Sequence, residues 1–537
     1  MKNRLPRFNL KSSQIYVGLL LAMAISLSMS KALMSIFTGA LMLNWLIEGQ
    51  FALKLQRLKE HNSVLLFISV FLIYLIGLLW SNSMKWGMHD LKIQLPLLIL
   101  PLVIGTSGAL NYRQIKTIVY VFVAGVVLAS FCSIWVWLGF SGKTIQNPRE
   151  ISLFISHIRF ALWINIAIFS LGWFLQNSEK KSIVEKSTLA LAIIWLSLFL
   201  IILKSATGWI VFLIVITAVL FYYILHLKSY GWRIALLGIL ITIFLIPAAY
   251  IAHVVNQFYS VEKIDKEIVL EKTSLGNLYQ HDFNNQQLEN GHYTFYYLNE
   301  DELREAWNKR SAINYDSTST SGYNRFILIR YLTSKGFRKD AEGLAKLDDH
   351  DIRNIENGMT NYRFENPFSF YNRIYQIVWE LDMYRKGGDP SGHSVTQRLE
   401  YYKMALQIIG EHFWFGNGTG GYFQAYQEKY DQNKFFQDPD YRQRSHNMFL
   451  SYWIDFGIIG LVYICFALIT PVFWEHKTKS FLLIIFLLVI FISFLNEDTL
   501  NNHDAITFFS FFYPLYLYSK HEKPKDLYTK DTETSSV

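Results

Sequence analysis

Two arginines and a histidine stand close together in the run Arg442-Gln443-Arg444-Ser445-His446-Asn447-Met448. An arginine presents a planar fork of donors that suits an oxyanion. A neutral histidine moves a proton near neutral pH. After Asn447 come nine residues and then Gly457-Ile458-Ile459-Gly460. On a helix Gly457 and Gly460 share one face and allow close helix packing. The competing reading of His446 is an interfacial side chain that only anchors a membrane span.

The elements that must position these residues follow from hydropathy. The chain has 537 residues, 52% hydrophobic, with a net charge of +8 and a pI near 9. Such a balance raises nucleic-acid binding, but the layout excludes it. A spanning helix needs roughly 20 mostly apolar residues. Twelve apolar segments are read as spans: 14–29, 32–47, 63–80, 94–107, 117–139, 153–175, 188–203, 209–226, 234–254, 446–473, 480–495 and 505–518. The expected fold is an all-α polytopic membrane protein. Residues 1–254 form a first bundle of about nine helices, 255–445 a large, mainly helical outer domain, 446–518 three further helices, and 519–537 a tail.

The charge divides along the same boundaries. Residues 255–445 hold 23 Lys+Arg and 27 Asp+Glu, a net of −4; the rest hold 27 and 15, a net of +12. With the N-terminus inside, the inner segments carry 20 Lys and Arg, and the short outer loops carry 5. This bias orients membrane proteins with positive loops in the cytoplasm. Both termini are therefore expected there, with 255–445 on the outside. Cys132 and Cys465 both fall in apolar runs, so the outer region has no disulfide.

Within the outer region, 339–358 reads as helical, ending at Gly358 with Asp351 near its cap. A clearer helix runs from near Thr396 to about Gly410, capped by Thr396 or Ser394, with Leu399, Tyr402, Leu406 and Ile409 as its apolar stripe. A glycine-rich turn follows, Gly416-Asn417-Gly418-Thr419-Gly420-Gly421.

The stretch from Arg398 to Gly460 resembles the signature domain of the O-antigen ligase and O-antigen polymerase family. Three elements carry the resemblance in order: Arg398 opening a helix, the turn Gly416, Gly418, Gly420, and His446-Asn447 spaced from Gly457 and Gly460. The long outer loop resembles Bacteroidetes-type members. The resemblance implies a bacterial inner-membrane enzyme that takes a glycan from a polyprenyl diphosphate on the outer face. It transfers that glycan to a sugar hydroxyl, on lipid A-core or on a growing glycan. A leaving diphosphate needs cations to hold its charge, and an attacking hydroxyl needs a base. By resemblance, His446 is the base and Arg398 a diphosphate ligand. No cofactor or metal is expected.

The family's Ser-Arg-Gly turn is matched here by Lys204-Ser205-Ala206-Thr207-Gly208, which lacks the arginine. Lys204 or Arg159 is expected to supply that charge. Arg159 lies within the sixth span, where a charge is costly and functional by default; the bland alternative is snorkelling to headgroups. Arg444 is a further candidate diphosphate ligand. Glu497 and Asp498 are candidates for orienting a partner or binding the acceptor, against the reading of a solvated loop pair. Lys85, His89 and Lys92 mark one face of an amphipathic stretch, and His393 is read as structural. The rival from another class is a transporter or flippase for a lipid-linked sugar; transfer of the glycan to protein is a variant of the first reading. Unlike halves and few charges within spans favour chemistry over transport.

Overall fold

A computed structural model describes residues 10–142, 148–177, 182–261, 271–319, 322–366, 369–433, 435–436 and 438–520. The chain begins with α1 (Leu10–Ser26), α2 (Lys31–Glu48), α3 (Phe51–Glu60), α4 (Asn62–Gly77), α5 (Met84–Gln94), α6 (Pro96–Thr106), α7 (Tyr112–Trp137), α8 (His157–Gln176), α9 (Ile183–Ile202), α10 (Ala206–Leu225) and α11 (Tyr230–Phe258). Short helices follow: α12 (Glu300–Arg310), α13 (Asn324–Ser334), α14 (Ala341–Ala345), α15 (Asp349–Glu356) and α16 (Phe370–Arg385). Last come α17 (Ser394–Glu411), α18 (Gly421–Gln432), α19 (Met448–Trp474), α20 (Phe481–Ser493) and α21 (His503–Leu517).

Every one of the twelve apolar segments is helical over most of its length. Among the described residues, eight helices are long and apolar enough to cross a membrane, or nine if α2 and α3 count as one span bent by 113°. The segment expected at 94–107 is longer than its apolar run. Pro96 sits in the first turn of α6, where its missing N–H costs nothing, and Met84–Thr106 forms one candidate span. The amphipathic residues of α5 hid that continuity. Most of the expected tail lies outside the described residues, from 521 onward.

The chain divides into two compact units, residues 1–223 with 401–537, and residues 224–400. The first unit has one large apolar core, in which Phe67, Phe122, Trp163, Phe486, Phe508 and Phe512 are fully buried. Asn111 opens α7 with a capping box, reciprocally bonded to Gln114. Between α3 and α4, the His61 Nδ1 lies 2.9 Å from Glu475 Oε2, just past α19.

The second unit holds α11, the helices α12–α16 and two short antiparallel hairpins, β1 (Leu288–Glu289) with β2 (His292–Tyr293) and β3 (Thr318–Ser319) with β4 (Gly322–Tyr323). Trp307, Tyr315, Leu328 and Ile355 centre one core. Val254 and Phe258, in the last turns of α11, pack against Tyr375, Val378 and Trp379 of α16 in another. The expected helix at 339–358 is two short helices. Asp348 is the N-cap of the second, Asp351 completes its capping box, and Gly358 follows with φ 82°.

The apolar stripe of α17 is displaced from the expected one. Tyr401, Met404, Ala405, Ile408 and Ile409 are buried, whereas Leu399 and Leu406 are exposed. Leucines in an amphipathic helix mark the core only if the docking partner lies on their side, and here the tyrosines of α18 lie on the other.

Candidate functional site

The glycine turn and the His-Asn-x9-Gly-x-x-Gly run form one backbone joint in the first unit. The helix α19 breaks at Gly457, whose φ of 66° and ψ of −176° are not helical. A Cβ at that position would come within 2.1 Å of the Trp414 carbonyl oxygen. The break frees helix carbonyls, and buried backbone groups need partners, most of all inside a membrane span. The turn supplies them. The Asn417 amide donates to Ile454 O and the Gly418 amide to Asp455 O, both at 2.8 Å; Ile458 N donates to Phe413 O at 2.9 Å.

The other side of the turn closes the end of α4. Thr419 is fully buried; its hydroxyl donates to Tyr74 O at 2.6 Å and its amide to Gly77 O at 3.1 Å. Gly416, Gly418 and Gly420 all have positive φ. A Cβ at Gly420 would come within 2.3 Å of Gly87 N on α5. The turn thus pins α4, α5 and α19 together. Gly460 relieves the same break, since a Cβ there would meet Phe456 Cβ at 2.2 Å. The expected role of Gly457 and Gly460 in helix–helix packing is therefore corrected: they serve a helix break and the loop wedged into it.

His446 stands at the entrance to α19 with φ 50°, a rare conformation for a residue with a side chain. Asn447 is the N-cap: its Oδ1 accepts from Leu450 N at 3.1 Å and its Nδ2 donates to Leu495 O at 3.1 Å. These bonds fix His446 beside the loop after α20. There His446 Nδ1 lies 3.9 Å from Glu497 Oε2, longer than a hydrogen bond but close enough to attract an imidazolium. Ser451 donates to Asp498 Oδ1 at 2.7 Å, and Asp498 is 6% exposed. Burial raises the Asp498 carboxyl above the ordinary carboxylate value, against His446, Ser451 and Arg444, which pull it down. That burial overturns the solvated-loop reading for Asp498, while Glu497 is only partly buried, its side chain 17% exposed.

Arg444 lies over the Tyr422 ring, 5.0 Å from its centroid, with Asp498, Asp90 and Asp455 as the carboxylates acting on it. Among the described residues it makes no hydrogen bond and no ion pair within 4 Å. A half-buried guanidinium with open donors is a place for an oxyanion. Burial holds the Tyr422 phenol well above its ordinary value, so it stays neutral beneath that charge.

The other expected cations are differently placed. Arg159 Nε lies 2.9 Å from Asp504 Oδ2, and Asp504 is 1% exposed in the first turn of α21. Lys204 is exposed, with φ 49°. Its turn is bound on both sides: Asn496 donates to Thr207 Oγ1 and Asn165 to Gly208 O, each at 3.0 Å. The turn therefore meets the residue before Glu497. Arg398 belongs to the second unit and is half-buried in the first turns of α17.

Residues 358–465 match a family model described as O-antigen ligase. Over that stretch the chain is similar to the O-antigen ligase family. No curated protein matches it. That match, with the apolar helices, supports a membrane enzyme of the ligase or glycosyltransferase kind in general.

The matched residues contain Arg398, the glycine turn, Arg444, His446 and the α19 break, while Arg159, Lys204, Glu497 and Asp498 lie outside them. Sequence reasoning passed over four residues at or beside the site: Asp90, Tyr422, Ser451 and Asp504. A cation inside a span calls for a carboxylate on another span, and that argument would have led from Arg159 to Asp504. Asp90 was hidden among the cations Lys85, His89 and Lys92, which are exposed on α5. Tyr422 and Ser451 carry no signal until the turn and the break are joined.

Proposed function

We propose that this chain transfers a glycan from a polyprenyl diphosphate carrier to a sugar hydroxyl at the outer face of the bacterial inner membrane. It acts as an O-antigen ligase on lipid A-core or as a related surface-polysaccharide polymerase. In this reading the chain spans the membrane twelve times, both termini are cytoplasmic, and residues 255–445 are periplasmic. The observation that carries the reading is Glu497 set 3.9 Å from His446 Nδ1, in a chain whose residues 358–465 are similar to the O-antigen ligase family.

His446 takes the proton of the acceptor hydroxyl as its oxygen attacks the anomeric carbon. The glycosidic bond to phosphate breaks, and the diphosphate leaves with the electron pair. Displacement in one step inverts the configuration. Glu497 stabilises the imidazolium that forms, as a carboxylate beside a general base does. The guanidinium of Arg444 meets the diphosphate, with Arg398, Arg159 and Lys204 as the further cations. Preorganised charge aimed at a leaving oxyanion is the largest single contribution in such reactions.

The test is transfer by the purified full-length protein from a polyprenyl-diphosphate-linked glycan. His446→Ala and Arg398→Ala are each expected to abolish transfer while the protein still inserts. Near-normal transfer by either variant would remove that residue from the mechanism. In cells, loss of all long glycan with accumulation of lipid-linked polymer indicates a ligase; single-repeat lipopolysaccharide indicates a polymerase.

A further inference from the structure

The second unit holds open hydrogen-bonding capacity that the transfer chemistry does not use. On α16, Trp379 is 9% exposed and Glu380 is 4% exposed. The indole Nε1 of Trp379 and the Oε2 of Glu380 have no hydrogen-bond partner among the described residues. Buried polar groups in native proteins are nearly always satisfied, so two open atoms on consecutive residues mark a missing partner.

Their surroundings are firmly set. The Arg330 guanidinium covers the Trp379 ring at 4.0 Å from its centroid, and Arg330 Nε is bound by Glu289 at 2.5 Å. His393 touches both residues. Its ring lies 5.6 Å from that of Trp379, edge to face, and its Nδ1 lies 3.8 Å from Glu380 Oε1. That side chain is 35% exposed, so His393 is a partly exposed neighbour of both residues. It ends a segment in which Gly387 and Gly392 have φ of 88° and 82°. Arg398 follows five residues later, about 7.5 Å along the helix at 1.5 Å per residue. The Tyr384 hydroxyl donates to Glu400, which ties α16 to this start of α17.

We propose that Trp379 and Glu380, beside the partly exposed His393 ring, form a subsite for a pyranose. Glu380 Oε2 accepts from one sugar hydroxyl, and Trp379 Nε1 donates to the oxygen of a neighbouring one. The ligand must offer both a donor and an acceptor. A phosphate would be repelled by Glu380, and a cation would leave the indole N–H open. Neighbouring hydroxyls of a neutral sugar match both. The ligand class rests on the glycan transfer proposed above, and the position before Arg398 suits the sugar joined to the diphosphate.

The experiment is saturation-transfer difference NMR on the purified full-length protein with glucose, galactose, mannose, N-acetylglucosamine and N-acetylgalactosamine. At least one sugar is expected to bind. Its affinity should fall at least about tenfold in Glu380→Gln and in Trp379→Phe, which remove a hydrogen bond with little change of shape. Lys309→Ala, on the exposed face of α12, should leave binding unchanged. His393→Ala removes a neighbour of both residues but neither open atom, and should keep or strengthen the sugar signal, so it tests the subsite even if another variant fails to fold. The proposal is overturned if no sugar binds to the wild type or to His393→Ala. It is also overturned if binding is equal in the wild type and both substituted proteins, as when an ordered water fills the two positions. Sugar binding without glycan transfer would contradict the proposed function and leave the subsite standing. Transfer without sugar binding at these residues would do the reverse.

Discussion

The amide of Gly418 donates to the carbonyl of Asp455 at 2.8 Å, so a loop completes the hydrogen bonding of a helix that breaks two residues later at Gly457. The break aims the first turns of α19, and with them His446, at the loop carrying Glu497 and Asp498.

Gly457→Ala should therefore be severely destabilising. A side chain at a positive φ costs about 1–3 kcal/mol by itself, and the added Cβ meets the Trp414 carbonyl at 2.1 Å. Thermal unfolding in detergent should show a lowered Tm or loss of folded protein. Gly39→Ala is the control: it sits in α2 with nothing within 4 Å of the new Cβ, and its Tm should be unchanged or slightly raised. Equal Tm values for both variants would contradict the joint.

Arg444 separates charge from fork geometry. Arg444→Lys keeps a cation but loses paired donation. It should reduce transfer at least about tenfold, with most of the loss in KM for the lipid-linked donor. Arg444→Ala should be worse. Full activity in the lysine variant would mean that Arg444 acts only as distant charge.

The pair Arg159–Asp504 allows stability and activity to be distinguished. Removing one partner of a buried ion pair costs about 3–5 kcal/mol, because the other charge is left uncompensated. Asp504→Leu alone should lower Tm sharply, and the double variant Arg159→Met with Asp504→Leu should recover much of it. If Arg159 also meets the diphosphate, the double variant stays inactive although it folds. Recovery of transfer together with Tm would confine Arg159 to a structural role.

The sequence made the helical framework legible because a span must satisfy its own backbone and so needs a long apolar run. His446, Asn447 and the five motif glycines were legible as spacing. What they do was not, because Gly457 in a helix and Gly457 at a break read alike until Trp414 is seen against it. The buried acids were harder. Asp498 sits in a run of polar residues that reads as a solvated loop, and only the packing of Ser451 against it shows otherwise. Leu399 and Leu406 misled for the same reason: hydrophobicity does not say which face of α17 its neighbour covers.

The pair His61–Glu475 predicts a pH dependence of stability. The hydrogen bond to Glu475 raises the His61 imidazole above its ordinary value. Burial pushes Glu475 up, but the hydrogen bonds from His61 and Ser63 outweigh it and leave the carboxyl below its ordinary value. The histidine's contribution is complete below its unfolded value of about 6.5 and is lost as pH rises through the raised folded value. The carboxylate's contribution is complete above its unfolded value of about 4.3 and is lost as pH falls through the lowered folded value. The Tm difference between wild type and His61→Gln should be widest at about pH 5 to 6 and narrow by pH 9. A difference that does not change over that range would contradict the assignment.

The most direct test of the account is single-turnover transfer from a polyprenyl-diphosphate-linked glycan to a sugar acceptor, by wild type and His446→Ala in the same lipid nanodiscs. The account predicts transfer by the wild type and a loss of about 10²–10⁴-fold in the variant, the range for removal of a general base, with folded protein at equal amounts. Transfer by His446→Ala within a few-fold of wild type would contradict it.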